Sequence, residues 1–272
     1  MASDAVLFTH AGGDQQVKIN KSGDAQTASL VFQSNWAGHA EMGLAGSTDF
    51  SIKVSGGGSW PEALVVKSAT ARVGLGTSTP GARLALSHGG SGDDYLLAGE
   101  ASELFRLGAD GNGSCAGSWS GGGADFAEYF EWQDGNPGQQ DRRGLSVVLG
   151  AKGRIRPAQA GETPIGVVSA LPCLIGNDDC GAWQGRWQRD AFGALLRDDA
   201  GLPLVAPEYD PDRPYQPRAT RAEWAVIGMM GRVLIRRGQP VDRRWIRLGA
   251  AEDLHPAGTA APDLQLDIWL LR

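Results

Sequence analysis

The segment GGGADFAEYFEW, residues 121–132, divides this chain into two parts of different character. Three glycines come first, and a dense cluster of acidic and aromatic residues follows them. Short apolar segments broken by Gly, Ser and Thr precede the segment, whereas a more conventional globular pattern follows it. Glycine has no side chain to restrict its backbone, so the run predicts a flexible joint. The carboxyl groups of Asp125 and Glu128 come directly after that joint.

The chain before the joint has the pattern of short β-strands. In FSIKVS, residues 50–55, apolar and polar residues alternate, which predicts a strand with one buried and one solvated face. Candidate strands recur roughly every 8–12 residues, as expected of an all-β module. We predict strands at 6–10, 17–20, 28–34, 40–45, 50–55, 63–67, 72–75, 82–86, 95–100 and 104–108.

The chain after the joint also predicts a β-rich domain. WAVIGMMGRVLI, residues 224–235, is its most apolar segment, and the two internal glycines favour a buried strand pair over a helix. The fold class is therefore mainly β: a fibre module at 1–113, a Gly/Ser-rich joint at 114–123 and a C-terminal domain at 124–272. We predict further strands at 145–149, 154–156, 165–170, 245–248 and 264–271, a loop at 174–187 and a surface excursion at 198–217.

Composition argues against several classes of partner. The formal net charge of −6 disfavours nucleic acid, because phosphate binding needs a basic surface. No apolar run reaches the roughly 18–20 residues of a membrane span, and no secretory signal is expected at the start. Three cysteines are too few for a disulfide framework, although Cys173 and Cys180 could clip a loop. We expect no metal and no cofactor, since the histidines are scattered at His10, His39, His88 and His255.

Three segments resemble a known family. ADFAEYFEWQDGNP at 124–137, DRRGLSVVLG at 141–150 and TPIGVVSALPCLIGN at 163–177 are similar to the C-terminal self-cleaving chaperone domain of bacteriophage tailspike and tail-fibre proteins. The resemblance covers roughly residues 121–248. It implies a domain that promotes trimer assembly and then cleaves itself off. By the same resemblance, cleavage falls between Ala124 and Asp125, and Glu128 is the essential acid. The family often has a small polar residue where this chain has Ala124.

The residue types at this position suit single-turnover peptide hydrolysis. Two carboxyl groups can divide the work of activating water and protonating the leaving amine if their environments separate their pKa values. Asp125 and Glu128 share a face only on a helical turn, whereas on a strand they point in opposite directions. A partner acid from another chain could then take part. The alternative is that Asp125 caps a turn and Glu128 is a solvated acid.

The N-terminal part resembles phage fibres as well. ASLVFQSNWAGHAEMGLAGSTDFSIKVS at 28–55 and ARVGLGTSTPGARLAL at 71–86 look like tail-fibre modules. Short strands with small turns bury little surface within one chain, so three chains around one axis would supply the interior. The alternative is a monomeric β-sandwich. The residues expected between the chains are Phe32, Trp36, Phe50, Ile52 and Val54.

We therefore predict a virion protein, a phage tail fibre or spike made in the host cytoplasm. Its expected partners are two further copies of itself, other tail or baseplate proteins, and a host receptor or glycan. Trp183 and Trp187 could stack on a sugar, although packing within their loop is the simpler interpretation. Two other functions stay open: an uncleaved receptor-binding tip, and a hydrolase that acts on other molecules.

Overall fold

The computed structural model describes residues 6–10, 12–89, 92–99, 102–199, 201–254 and 264–272, except for the side chains of 253 and 254. Glu100, at the end of one predicted strand, and His255 lie outside these ranges. The chain forms two compact units. The first comprises Met1–Ala116 with Arg197–Leu202, and the second comprises Gly117–Leu196 with Pro203–Arg272.

A six-stranded sheet dominates the first unit. Its strands follow chain order, and all neighbours are antiparallel except the last pair, which is parallel. Asn35 and Trp36, both with positive φ, make the tight turn between the first two strands. Such turns match the twist of a hairpin. The strands are β1 (Thr27–Ser34), β2 (Ala37–Ala45), β3 (Phe50–Val54), β4 (Glu62–Val66), β5 (Val73–Leu75) and β6 (Leu84–Leu86).

Much of the apolar surface of this sheet is exposed in the single chain. Phe32 is 52% exposed and Trp36 is 91% exposed, while Phe50 and Val54 are each more than a third exposed. Ile52, on the same sheet, is partly buried. One chain therefore leaves uncovered four of the five side chains that the sequence predicts between chains.

A three-stranded antiparallel sheet completes the first unit: β7 (Leu96–Ala98), β8 (Phe105–Leu107) and β9 (Gly113–Cys115). The first two residues of the Gly/Ser-rich joint predicted at 114–123 belong to this sheet, because β9 pairs with β8 there. Strand pairing uses backbone groups, so small residues do not prevent it.

Two predicted strands are absent. Residues 6–10 and 17–20 have no regular secondary structure, and Val6, Leu7 and Phe8 are largely exposed. An alternating pattern makes a strand only where a neighbouring strand accepts its backbone hydrogen bonds. These segments have no such partner within the described residues.

The second unit contains an eight-stranded sheet made of β10 (Asp125–Glu131), β11 (Ser146–Leu149), β12 (Ile155–Pro157), β13 (Gly166–Val168), β14 (Leu174–Gly176), β15 (Trp224–Arg236), β16 (Ile246–Ala250) and β17 (Leu266–Leu271). In this sheet β12, β11, β13, β15, β10 and β14 are neighbours in that order, and β17 pairs with both β15 and β16. The prediction of a mainly β chain is confirmed; the described residues contain one short α-helix, α1 (Ala251–Leu254).

This sheet is buried on both faces. Val168 packs with Ile227 and Trp132 in one apolar cluster, whereas Val167 packs with Val233 in another. Val167 and Val168 are neighbours on one strand, so their side chains point to opposite faces. The second unit therefore has its own core on each side of the sheet.

The segment 224–235 was predicted as a strand pair and is instead part of one continuous strand, β15. Its two glycines do not turn the chain. Gly231 pairs with Asp125 and Gly228 with Ala127 across to β10, with a bulge between Phe126 and Ala127. The glycines provide room for close contacts with β10.

The segment 174–187 was predicted as a loop, and its first three residues form β14. This strand runs parallel to β10 at the edge of the sheet. Cys173 and Cys180 are both free thiols, so the suggested disulfide clip is not formed. The described residues of the predicted excursion at 198–217 form no strand or helix, and Val205 makes an isolated bridge with Trp187.

Candidate cleavage site

Strand β10 places Asp125 and Glu128 on opposite faces of the sheet. Asp125 is its first residue and lies opposite Gly231, whereas Glu128 lies between Ile227 on β15 and Gly176 on β14. Three residues on an extended strand span an odd number of side-chain alternations, so the two carboxyl groups diverge. The structure therefore does not bring them together within one chain.

Asp125 is buried, with only 3% of its surface exposed. Ser169 donates a hydrogen bond from its hydroxyl to Oδ1 at 3.1 Å. Oδ2 is fully buried and has no hydrogen-bond partner among the described residues. Burial raises the pKa of the Asp125 carboxyl, and the bond from Ser169 offsets only part of this effect. The carboxyl group therefore holds its proton to a higher pH than an exposed aspartate does.

Gly228 makes room for this carboxyl group. A β-carbon added at position 228 would lie 2.4 Å from Oδ2 of Asp125 and 2.9 Å from the side chain of Val233. Contacts that short do not occur between real atoms, so a larger residue would displace the carboxyl group. The glycine fixes where Asp125 can lie.

The bond between Ala124 and Asp125 crosses from the surface into the interior, because Ala124 is exposed and Asp125 is buried. The Arg232 backbone N–H donates to the Ala124 carbonyl at 3.0 Å, and the Cys173 backbone N–H donates to the Asp125 carbonyl at 2.8 Å. The Cys173 thiol lies 3.1 Å from that second carbonyl. Hydrogen bonds therefore hold the backbone on both sides of the predicted cleavage point.

The three glycines before this bond differ in how closely they pack against the rest of the unit. A β-carbon at Gly123 would lie 2.3 Å from the carbonyl oxygen of Leu171, and one at Gly121 would lie 3.0 Å from the Cys173 side chain. Gly122 between them has open space around it. Close packing against the segment 171–173 therefore requires glycine at 123, whereas a side chain at 121 would crowd Cys173.

A cavity of about 550 Å³ lies beside the Ala124–Asp125 bond. Ala124, Asp125, Ser169 and Arg232 contribute polar atoms or backbone to its wall, and much of the remaining wall is apolar. It is large enough to admit water to the carbonyl group. Glu128 is not among the described residues that line it.

Trp183 and Trp187, the candidate sugar contacts, both lie against arginine side chains. The Arg213 guanidinium lies 3.6 Å from the centre of the Trp183 ring, and Arg221 lies 4.8 Å from it. Arg186 lies 4.4 Å from the centre of the Trp187 ring. Both tryptophans are partly buried, and each packs in its loop through a cation–π contact.

An ion-pair cluster fastens the same loop to the sheet. Asp179 is almost fully buried between Arg218, at 3.5 Å, and Arg221, at 2.5 Å, and it also accepts a hydrogen bond from the Tyr215 hydroxyl. Near this cluster, the Asn177 amide donates to the Tyr129 carbonyl of β10 at 2.8 Å. The loop is thereby held next to Glu128.

Sequence reasoning missed four residues of this site: Ser169, Gly228, Gly231 and Arg232. Ser169 lies in the quoted segment TPIGVVSALPCLIGN, and the two glycines lie in WAVIGMMGRVLI. A glycine inside an apolar strand pattern signals a bulge or a close backbone approach, and that signal could have found Gly228 and Gly231. Nothing local identifies Ser169 or Arg232, because their contacts with residues 124 and 125 are long-range.

Among the described residues, no helix has the length and apolar character needed to cross a membrane. Within the same ranges, no three His, Cys, Asp or Glu side chains are grouped as metal ligands would be.

Comparison with protein families gives a match over residues 91–202 and 200–253. The matched family is Peptidase_G2, described as the IMC autoproteolytic cleavage domain. The match contains the glycine run, the Ala124–Asp125 bond and the whole of β15. The resemblance to phage self-cleaving chaperone domains is thereby confirmed.

Curated relatives point to the same group. The pre-neck appendage protein of Bacillus phage phi29 is 36% identical over 127 residues, which cover 44% of this chain and 14% of that protein. The preneck appendage protein of Bacillus phage PZA is 35% identical over 139 residues, covering 46% and 15%. The matching part is thus about one seventh of the length of these relatives.

A solved structure has a similar fold. The crystal structure of the pre-mature bacteriophage phi29 gene product 12 superimposes with a TM-score of 0.53 at 27% identity. The superposition covers 62% of this chain and 24% of that one. This chain is therefore related to phage appendage proteins in sequence and in fold.

Proposed function

Because this chain belongs to the Peptidase_G2 family of IMC autoproteolytic cleavage domains, we propose that it cuts its own backbone once, between Ala124 and Asp125. The observation that carries this proposal is the buried carboxyl of Asp125, the residue whose nitrogen must leave, because burial raises the pKa of that carboxyl and so favours its acid form. Ala124 is an exposed residue, and a cavity lies beside its bond to Asp125.

In the proposed reaction, water attacks the carbonyl carbon of Ala124 and forms a tetrahedral intermediate. Collapse of that intermediate breaks the bond between the carbon and the Asp125 nitrogen. The Asp125 carboxylic acid protonates its own leaving nitrogen, and the proton lost by water goes to a base. The products are a carboxylate at Ala124 and an α-amino group at Asp125, so one water molecule is consumed in a single turnover.

Glu128 is the proposed base, and its position makes the reaction depend on assembly. Its side chain points away from the face that holds Asp125, so a Glu128 from a neighbouring chain would have to approach the bond. Cutting would then begin only after chains have associated. This dependence suits a domain that must guide assembly before it is released.

The proposed assembly is a homotrimer with the C-terminal domain as an intramolecular chaperone. Its support is the contrast in burial: the second unit has a core on both faces of its sheet, while the first leaves large apolar side chains exposed. A self-sufficient domain that gathers chains first would protect slow inter-chain β-pairing from aggregation.

The proposed setting is a phage virion, where the chain would form part of a tail fibre or spike made in the host cytoplasm. Support comes from the phage appendage proteins to which it is similar. Contacts with other tail or baseplate proteins and with a host receptor or glycan belong to the same proposal. Of the two candidate sugar contacts, Trp187 would be the more available, since Arg213 and Arg221 both lie over Trp183.

The test is denaturing electrophoresis and intact-mass measurement of the assembled wild type and of variants. The wild type should give fragments 1–124 and 125–272, and Glu128→Gln should stay intact while still assembling. Glu131→Gln is the matched control, since Glu131 lies on the same strand and pairs with Arg154. An uncut wild type would instead favour the uncleaved binding tip.

Mixed assembly tests the origin of the base. Chains carrying Glu128→Gln, marked by a mass tag, are assembled together with wild-type chains. If the base comes from a neighbour, some tagged chains should be cut at 124–125. Tagged chains that remain intact in every mixed oligomer would show that Glu128 acts on its own chain.

A further inference from the structure

Two backbone positions on β15 surround the carbonyl group of Ala124. The Arg232 N–H donates a hydrogen bond to its oxygen at 3.0 Å. Gly231 lies against the same peptide with a φ of +102°. A β-carbon at position 231 would lie 2.4 Å from the carbonyl oxygen, 2.8 Å from the Asp125 Cα and 3.2 Å from the carbonyl carbon.

Glycine is therefore needed at 231 for two independent reasons. The positive φ disfavours any L-residue with a side chain. A side chain would also cover the carbonyl group of Ala124 directly. Because Gly231 has no β-carbon, the space next to the Ala124 carbonyl stays free, although β10 and β15 are paired there.

We propose that Gly231 and the backbone N–H of Arg232 form the oxyanion site of the self-cleavage reaction. The proposal rests on the function proposed above and names the groups that act on the carbonyl. The Arg232 N–H stabilises the negative charge that develops on the Ala124 oxygen when water adds to the carbon. Gly231 keeps the space at that carbon clear for the tetrahedral geometry.

The chemistry requires a donor at this place. When water adds, the carbonyl double bond becomes a single bond and its electron pair moves to the oxygen. A donor that is already fixed at 3.0 Å meets that charge without rearrangement, and its hydrogen bond strengthens as the charge grows. When the carbon–nitrogen bond breaks, the charge returns to re-form a carbonyl within the new carboxylate. The donor ends as it began.

The donor is a backbone group, so side-chain substitution at 232 should leave it in place. Arg232 is exposed and its residue also lines the cavity. Arg232→Leu removes the guanidinium and keeps the N–H. The cleavage rate of this variant is the reference for the ester at 232, because it separates the contribution of the arginine charge from that of the N–H.

The decisive experiment replaces the amide of residue 232 by an ester, which removes the N–H while keeping the shape of the chain. The matched control is the same replacement at Arg236, on the same strand, whose N–H donates to the Gly144 carbonyl at 2.9 Å. The same α-hydroxy acid is introduced at both positions in the full chain. First-order cleavage rates after assembly and thermal midpoints are measured for both.

The ester at 232 should slow cleavage about 10²–10³-fold, the range found when one oxyanion donor is removed. The ester at 236 should leave the rate within a few-fold, while both esters lower the thermal midpoint by similar amounts. Equal cleavage rates in the two esters would overturn the assignment of the oxyanion site. A wild type that does not cut at 124–125 would instead overturn the proposed function itself.

Gly231→Ala tests the open space at the carbonyl. In assembled, folded protein it should cut at least as slowly as the ester at 232, because the methyl group would lie against the carbonyl. If it does not fold, the ester pair alone decides the proposal. A folded Gly231→Ala protein that cuts at the wild-type rate would contradict the role given to Gly231.

Discussion

The two large sheets of this chain are built from similar residues but bury them differently. In the second unit, Ile227 and Val167 are completely buried, and apolar clusters cover both faces of the sheet. In the first unit, Leu30, Val31 and Phe32 on β1 are each about half exposed. The second sheet therefore has its own core, whereas the first leaves large apolar side chains exposed in the single chain.

The difference in burial arises from strand length and from the order in which the strands pair. β15 has thirteen residues and pairs with β10, β13 and β17, so one strand organises the second sheet through long-range contacts. The first sheet is a simple succession of neighbours, with three-residue strands at one end. Successive short strands add hydrogen bonds but bring no second layer over their apolar side chains.

The largest expected effect comes from separating the two units. A chain that ends at Gly123 should lose most of its soluble, assembled yield, because the exposed apolar face of one chain would associate nonspecifically with those of other chains. Residues 124–272 alone should remain folded. Soluble yield and light scattering of both pieces and of the full chain provide the measurement.

A piece ending at Gly123 that assembles as well as the full chain would remove the need for a chaperone. A stable full-length monomer at micromolar concentration would contradict the proposed homotrimer as well.

The next effect compares one buried side chain in each sheet. Ile227→Ala should lower the free energy of unfolding by about 2–5 kcal/mol, since it leaves a cavity in a closed core. In a single chain, where the ring is half exposed, Phe32→Ala should lower the free energy of unfolding by much less than Ile227→Ala does. In the assembled protein it should cost about 3–5 kcal/mol if neighbouring chains bury the ring.

Chemical unfolding of each variant at several protein concentrations separates these cases. A loss for Phe32→Ala that is small at every concentration would mean that the first sheet is free in solution. The monomeric β-sandwich would then be the better description.

Local pattern was sufficient to predict the strands whose partners are close in the chain. The alternation of FSIKVS corresponds to β3, and the strand predicted at 28–34 corresponds to β1. The same logic failed at residues 6–10, where a strand pattern has no partner, and at β9, where Gly and Ser pair without any pattern. Pairing is decided by neighbours, which a local pattern does not contain.

The site was predicted only in part for the same reason. Asp125 and Glu128 stand out because acids cluster after a glycine run, and a strand at this position separates them as the sequence analysis foresaw for an extended chain. Ser169, Gly228 and Gly231 are 44 or more residues from Asp125 in the chain but contact it in space. Only the register of β10 on β15 brings them to the bond.

A smaller effect compares one carboxyl group from each unit, that of the partly buried Asp49 and that of the buried Asp125. The pKa of Asp49 in the first unit is lowered, chiefly by its hydrogen bond with Lys67, whereas burial raises the pKa of Asp125 in the second. A raised pKa means that the folded chain holds the proton longer, so Asp125 lowers stability as pH rises above the ordinary value of about 4. Asp49 has the opposite sign, because its contribution is lost as pH falls below that value.

Asp125→Asn should therefore flatten the fall of stability with rising pH, and Asp49→Asn should flatten the loss of stability in acid. Urea unfolding from pH 3 to pH 8 measures both slopes. If the two substitutions change the slope of stability against pH in the same direction, the burial assigned to Asp125 is contradicted. The cleavage rate should also fall as pH rises through the raised pKa, because the proposed acid loses its proton.

The smallest expected effect is that of a surface ion pair in the second unit. Arg142 binds both carboxylate oxygens of Asp134, at 2.6 and 2.9 Å, and its guanidinium lies 4.5 Å from the centre of the Trp132 ring. These bonds lower the pKa of Asp134 to about 2. The stabilisation is complete above the ordinary pKa of about 4 and is lost as pH falls towards 2.

More than half of the Asp134 side chain is exposed, so water and salt screen the pair and Asp134→Asn should cost at most about 1 kcal/mol at pH 7. The matched pair in the first unit is Arg106 with Asp94, whose closest atoms are 3.6 Å apart and which should contribute less. Unfolding free energies of Asp134→Asn and Asp94→Asn at pH 7 and pH 2.5 provide the measurement. The difference between wild type and Asp134→Asn should shrink at pH 2.5 and in high salt. A difference that is unchanged under both conditions would mean that packing of Arg142 on Trp132, and not the charge on Asp134, stabilises this turn.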